Sequence, residues 1–414
     1  VAARVDMDQA MYTDDVRPAS GSGIYDKLLP ILTQWKQAYN FVGSYYIDVG
    51  NNPAEGEVTD WTYSKKYYNQ MLAMGNEIGS HSLTHPENTN LLTAAQFQTE
   101  FQQSRAIIEQ QLGLTNIGAA VPGAGENLAT ARQIAQYYPY ISGGASLIGA
   151  GYPGAIGYLS PTATDMKSVY IAPNTSFDFT LVGYQHLTAA QASAAWAKEW
   201  ATLTAHSDLP VVVWPWHDYG PTNWLTDTTD AGYTQQMFTD FIARAAQAGS
   251  EFVTLNDLAQ RTATLEKSDV SYSFDAAANV LTASATTAAG DLGKFALDIG
   301  SGHTIKSVAG WYAYDSNSVF VPKAGGTFKI ALDGTYLRYV KPSLHWLLLA
   351  AGLMLLAARP RIRAWDRLQW RSVIALGLAL AGMNGFIYAA IQRIPLGTAV
   401  AIEFLGPLVL AACL

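Results

Sequence analysis

The stretch Gly75-Asn76-Glu77-Ile78-Gly79-Ser80-His81-Ser82-Leu83-Thr84-His85-Pro86 decides how this chain is read. It sets two imidazoles four residues apart, directly after a short apolar, strand-like segment. On a turn of helix opening at Ser80, His81 and His85 would share a face, about 5–6 Å apart at Cβ. Both rings could then turn to one ion at about 2.0–2.1 Å. Small residues at Gly75, Gly79 and Ser80 precede the pair, and Pro86 stops the turn. An HxxxH pair also occurs as two exposed polar residues on a helix, so a metal site needs further ligands from elsewhere in the chain.

Composition narrows where those ligands come from. The 414 residues suffice for two or three domains. Net charge is -8 with a pI near 5.3, and no basic run occurs in the first 340 residues, which argues against a nucleic-acid partner. Cys413 is the sole cysteine, so an intrachain disulfide and a cysteine metal site are both excluded, and a metal would rest on His and carboxylate. Charged residues make up only 14% of the chain while Tyr and Trp are plentiful, which suits a carbohydrate-handling protein. The chain opens at Val1 rather than Met; the expectation is that a segment has been cut away upstream, so the lack of a signal peptide says nothing about compartment.

His81-Ser82-Leu83-Thr84-His85 resembles the second motif of the NodB-like polysaccharide deacetylases, a glycine-containing strand end followed by H-[ST]-x-x-H. In that family two histidines and an aspartate hold a divalent metal, commonly zinc, and a second aspartate acts as base. Two acid pairs compete for these roles. Adjacent aspartates are the commoner family form and favour Asp14 and Asp15. The D-x-D form, found in the branch that includes the deacetylase domain of the Pel polysaccharide modification protein, fits Asp6 and Asp8. We take Asp6 and Asp8, because they end the strand at residues 2–8, and α/β sheets collect their chemistry at strand carboxyl ends. Asp14 and Asp15 lie in a segment rich in turn formers, where carboxylates are commonly just solvated.

Downstream, helix and strand alternate. Helical spacing of apolar residues covers 24–39, 63–74, 94–112, 130–137, 189–203 and 233–247. Strand-like runs cover 41–49, 117–122, 169–172 and 251–255. The Gly123-Ala124-Gly125-Glu126-Asn127 loop lacks the Walker lysine and the GxGxxG form of a phosphate cradle. It stands where the resembled family carries R-x-P-[aromatic]; with arginine absent, an arginine acting on the catalytic aspartate is not expected. The loop at 173–177 is a further candidate for substrate contact.

Val211-Val212-Val213-Trp214-Pro215-Trp216-His217-Asp218-Tyr219 reads as a buried parallel strand delivering polar and aromatic residues at its carboxyl end. It resembles the family's late motif, whose histidine is the general acid; His217 is the match. Trp214, Trp216 and Tyr219 are the candidates for stacking on sugar rings.

The expected architecture is a distorted (β/α) barrel of NodB type over residues 1–262, a small all-β sandwich over 263–341, and a hydrophobic helical tail over 342–414. The sandwich could bind carbohydrate, although a packing module beside the barrel is the simpler role. In the tail, apolar runs at 344–358, 372–391 and 395–414 flank an Arg-rich connector expected on the cytoplasmic side. Arg393-Ile394-Pro395-Leu396-Gly397 and Glu403-Phe404-Leu405-Gly406-Pro407 resemble the start of an EamA-type drug/metabolite transporter, which implies a fusion or truncation product or, alternatively, a membrane anchor.

The resemblance implies a metal-dependent hydrolase that removes N-acetyl groups from an N-acetylhexosamine polysaccharide, of exopolysaccharide or biofilm type. Asp8, His81 and His85 would be the metal ligands, zinc first among the divalent candidates, with Asp6 as base and His217 as acid. The catalytic part would be periplasmic or extracellular, with membrane association through 344–414 if the tail is genuine. A glycoside hydrolase, also built on paired carboxylates, and a non-catalytic carbohydrate-binding protein are the alternatives.

Overall fold

Ala2–Met7 (β1) is buried along its whole length, and its alternation fixes the inside and outside of the fold. Ala3, Val5 and Met7 join the large apolar layer beneath the helices, whereas Ala2 belongs to a smaller inner cluster with Tyr46, Tyr140 and Val213. Side chains two apart on a strand share a face, so Arg4 and Asp6 point inward with Ala2. The computed structural model describes residues 1–143, 156–158, 169–205, 211–224, 232–300, 302–310, 313 and 315–333. The described residues fall within the first of two units, Val1–Tyr336. The second, Leu337–Leu414, lies outside the described residues, and so do the expected helical tail and its membrane association. Among the described residues, no helix is long and apolar enough to cross a membrane.

The strands that follow are Ser44–Asp48 (β2), a small hairpin of Gly50–Asn52 (β3) and Glu57–Val58 (β4), then Glu77–Ser82 (β5), Ala119–Ala120 (β6), Tyr140–Ser142 (β7), Ile156–Tyr158 (β8), Val169–Ile171 (β9) and Val213–His217 (β10). One sheet runs in the order β10-β1-β2-β5-β6-β7-β9-β8. All of its pairings are parallel except β8 on β9. Just past β9, Asn174 reaches β10: its amide donates to the Val213 carbonyl at 3.1 Å, and its Oδ1 accepts from Val213 N at 2.8 Å. The seven parallel strands therefore form a nearly closed, barrel-like sheet wrapped by helices, the (β/α) barrel of NodB type. β1 aligns Asp6 with His217 of β10 and with Tyr46 of β2, which brings distant parts of the chain to one level.

Helices Ile24–Tyr39, Trp61–Ala73, Ala189–Thr204 and Gln235–Gln247 cover the outside with amphipathic faces. Local sequence sets their starts: Asp60 accepts from Thr62 N, and Thr188 with Gln191 forms a capping box. Residues 94–112 are one helical run interrupted by a π turn, Gln98–Gln103, rather than a uniform α-helix. The expected strand at 251–255 shrinks to a single parallel bridge between Ala2 and Val253, because helix Leu255–Leu265 starts there. That helix closes the amino-terminal end of the barrel: Leu255 N donates to Ser44 Oγ at 2.7 Å and Asn256 N to Glu77 Oε2 at 2.9 Å.

Beyond it, Ser268–Asp275 (β11), Val280–Thr287 (β12), Ala296–Asp298 (β13), Ile305–Val308 (β14), Ser318–Phe320 (β15) and Gly326–Leu332 (β16) are antiparallel. β11-β12-β16-β14 form one sheet and β13-β15 another, and Ile305, Val319, Phe328 and Ile330 fill the core between them.

Candidate active site

The two histidines do not ride on a helix. β5 runs through His81 to Ser82, and the chain then reverses, with φ of 109° at Ser82 and 54° at His85. Non-glycine residues pay for such backbone, and the surroundings hold it in place. Ser82 Oγ accepts from His85 N at 2.9 Å, while Glu100, on the π turn, accepts from the amides of Leu83 and Thr84 at 3.1 and 2.9 Å. The expected helical turn is thus replaced by a strand end and a clamped loop, which still converge the rings: their centroids lie 5.1 Å apart. The Ala120 carbonyl can only accept, so His81 Nδ1 donates to it at 3.0 Å and Nε2 is left free of hydrogen. Burial lowers the His81 pKa to about 4, outweighing the pull of Asp6, so the ring is neutral at physiological pH.

Asp8 Oδ1 lies 3.6 Å from His81 Nε2 and 3.8 Å from His85 Nε2. Those separations suit donors of one ion at ordinary bond lengths. Asp8, Asp48, His81 and His85 each offer a ligand atom within 4.8 Å of all the others. Asp14 and Asp15 are not in this group; Asp15 instead accepts from Trp224 Nε1 at 2.9 Å. Asp48 ends β2 within the 41–49 run, and nothing in its local sequence marks it as a ligand. It is fully buried, and burial followed by the charge of Asp8 pushes its carboxyl well above the usual range.

Asp6 sits deeper. Arg4 grips it with two parallel bonds of 2.8 Å and also donates to the carbonyls of Val121 at 2.9 Å and Ser142 at 3.1 Å. Burial favours the protonated acid, but Arg4 and then His81 outweigh it and bring Asp6 to about 2. The sequence had suggested that no arginine would act on this aspartate; Arg4, on the same face of the same strand, does so.

His217 ends β10 beside them, its Nε2 3.8 Å from Asp8 Oδ2. Its Nδ1 is 2.6 Å from Asp178 Oδ1, and its backbone amide donates to Asp178 Oδ2 at 3.2 Å. Burial opposes the charged ring, yet Asp178, Asp8 and Asp6 prevail and raise His217 to about 10. Asp178 lies one residue past the 173–177 loop flagged as a candidate substrate contact. Tyr219 stacks on the His217 ring at 4.8 Å and 9°, so it braces that imidazole rather than offering an open platform.

Trp214 and Trp216 are corrected outright. Both are 0% exposed. With His217 facing the interior, strand alternation turns these two toward the helices. There Trp214 stacks on Phe241 at 4.2 Å, and Trp216 packs edge-on against Trp35. Neither can meet a sugar.

The donor set fits a divalent ion. Asp8 Oδ1 and Asp48 Oδ2 are buried with no hydrogen-bond partner, next to two imidazoles whose Nε2 atoms face Asp8. Unpaired buried carboxylate oxygens are costly, and an ion between them removes that cost.

Residues 7–142 match the family model described as polysaccharide deacetylase. Over that stretch the chain is similar to the polysaccharide deacetylases. The matched stretch contains Asp8, Asp48, His81 and His85, while Asp6 immediately precedes it and His217 comes later in the barrel. Among solved structures, the chain is similar to a putative polysaccharide deacetylase from Mycobacterium smegmatis (16% identity, 63% of this chain and 90% of that one, TM-score 0.44). It is similar also to a family 4 acetyl xylan esterase from Clostridium thermocellum in complex with a cobalt ion (16% identity, 62% and 90%, TM-score 0.34). A curated relative, the threonine/homoserine exporter RhtA of Salmonella typhimurium, is 42% identical over 72 residues, 17% of this chain. The chain spans about a quarter of the length of the curated relatives it matches.

Proposed function

We propose that this chain is a metal-dependent N-deacetylase acting on an N-acetylhexosamine polysaccharide of exopolysaccharide or biofilm type, of the Pel-like branch, and working in the periplasm or outside the cell. The observation that carries the reading is the convergence of Asp6, Asp8, His81, His85 and His217 at the carboxyl ends of β1, β5 and β10. The deacetylase family match over 7–142 supports it.

Asp8, His81 and His85 would hold the ion, with zinc the first candidate. A divalent ion in such a site supplies an acidified water and polarises the amide carbonyl. The remaining chemistry belongs to the chain. Asp6, kept ionised and aimed by Arg4, accepts a proton from the attacking water. His217, kept protonated by Asp178, donates from Nε2 to the amine nitrogen as the C–N bond breaks, so acetate and a free amine leave. Asp178 holds the Nδ1 proton and fixes which nitrogen faces the substrate. Tyr219 keeps the ring from rotating away.

We read residues 342–414 as a segment resembling an EamA-type transporter, with no part in deacetylation. The 72-residue likeness to an exporter, close to the tail's own length, supports that reading. Extraction of membranes carrying the chain with carbonate would release it if the tail does not span a bilayer.

The deciding assay is acetate release from N-acetylhexosamine oligomers, with and without a chelator and with zinc restored. Metal-dependent acetate release is the expected result. Release of reducing sugar without acetate, unaffected by the chelator, would replace this reading with a glycoside hydrolase.

A further inference from the structure

We propose that Asp48 is a fourth protein ligand, so that the ion is held by two aspartates and two histidines rather than by the three residues the sequence suggested. The inference rests on the metal-dependent reading above and adds a residue to its site. β2 lies between β1 and β5 in the sheet, so the ligands come from the carboxyl ends of three adjacent strands. The register between β2 and β5 shifts between Ile47 and Asp48. Such irregularities re-aim side chains, and here Asp48 lies opposite Ser82, next to His81.

The surroundings of its two oxygens differ. Oδ1 accepts from Ser82 Oγ at 3.2 Å; Oδ2 is buried and has no partner. Asp8 presents an equally unpartnered oxygen, Oδ1, and all four residues offer ligand atoms within 4.8 Å of one another. A buried carboxylate is normally paired or bound to a metal. One dication between the two aspartates would satisfy both oxygens, and with two neutral imidazoles the assembly carries no net charge, which suits a buried position. Ser82 links the parts: its hydroxyl donates to Asp48 while accepting from His85 N, so the loop that carries His85 also positions Asp48.

Four protein ligands would close a tetrahedral ion, and catalysis needs an open position. The site therefore favours an ion that takes five or six ligands, and oxygen-rich sets suit manganese better than purely imidazole ones. Asp48→Asn keeps the shape but replaces the carboxylate with a neutral amide, a weaker ligand.

The test takes the full chain stripped of metal and titrates Zn2+ and Mn2+ calorimetrically into wild type and Asp48→Asn, with circular dichroism as the check on folding. A crystal structure of the zinc-loaded and manganese-loaded wild type accompanies it. The expected results are an Asp48 oxygen within about 2.0–2.2 Å of zinc and an Asp48→Asn affinity for Mn2+ at least about tenfold weaker, with a smaller loss for Zn2+. An ion bound by Asp8, His81 and His85 with Asp48 beyond about 3 Å overturns the inference and leaves the deacetylase reading standing. Undiminished binding of both ions by a folded Asp48→Asn overturns it as well. Wild type binding neither ion would overturn the metal reading and this inference together. If Asp48→Asn does not fold, the loaded wild-type structure decides.

Discussion

Replacing Asp178 by Asn tests whether His217 is a charged acid by design of its surroundings. In the native site His217 is raised to about 10 from an ordinary 6.5. At 1.36 kcal/mol per pH unit, that is about 5 kcal/mol in favour of the charged ring, after the cost of burial. Asp178 is the largest of the favourable charges and makes the shortest contact, 2.6 Å. A hydrogen bond to a charged group contributes about 1.5–3 kcal/mol, so Asn, which keeps an acceptor but loses the charge, should lower the His217 midpoint by about one to two pH units. The sign follows from the direction of the shift. A histidine with a raised folded pKa contributes stability that is fully present below its unfolded value near 6.5 and is lost as pH rises through about 10. In Asp178→Asn that loss should be complete at lower pH. The ring can be followed directly by carbon-13 histidine NMR on the metal-free chain, and the alkaline limb of acetate release in the zinc-loaded chain should move in the same direction. A midpoint unchanged in a folded variant would refute the pairing as the source of the charge.

Arg4→Met should leave Asp6 buried without its counter-ion, destabilising the fold by about 3–5 kcal/mol and raising the Asp6 pKa; an unchanged urea midpoint would contradict this. Trp214→Ala should cost about 3–5 kcal/mol of stability by opening the helix-facing core, with KM for the oligomer unchanged; a raised KM at native stability would return Trp214 to the substrate. Asp6→Asn should bind zinc as wild type does while kcat falls by about 10²–10⁴, whereas His81→Ala should lose both zinc and rate. Full activity in either variant would end the assignment of base and ligand.

The parts of the site that were legible in the sequence are those written within one strand and its end. His81 and His85 announced themselves by spacing, Asp6 and Asp8 by their place at the end of β1, and His217 by ending an apolar run. The local conformation was misjudged at one point, because four-residue spacing is shared by a helical turn and by a strand end followed by a tight loop. Only the clamp from Glu100, which is remote in sequence, selects the second. Asp48 and Asp178 were missed for a related reason. Each is a lone carboxylate whose role depends on which strand lies beside it, and sheet order is not written in local pattern. The two tryptophans failed differently. Counting aromatics near His217 ignored the period of two that its own strand imposes, a rule that already placed Trp214 and Trp216 on the face opposite to His217.

Arg4 carries that rule one step further. The loop at 123–127 lacks the arginine that the resembled family places there, and the sequence was taken to leave the catalytic aspartate without such a partner. Yet an R-x-D pair at the end of a barrel strand puts both side chains inside, one level apart, where the fork of a guanidinium matches a carboxylate with two parallel bonds. The third and fourth contacts of Arg4 go to the carbonyls of Val121 and Ser142, beside the ends of β6 and β7, so the arginine ties three strands together as it holds Asp6. The 123–127 loop lies at that same edge, where Glu126 adds a negative charge that favours the charged form of Arg4, and its backbone is close-packed: Gly123 adopts φ +68°, and a Cβ there would fall 2.4 Å from the Glu87 carbonyl oxygen. With Asp6 held ionised by Arg4 from its own strand, the loop can be small and close-packed while that carboxylate keeps its charge.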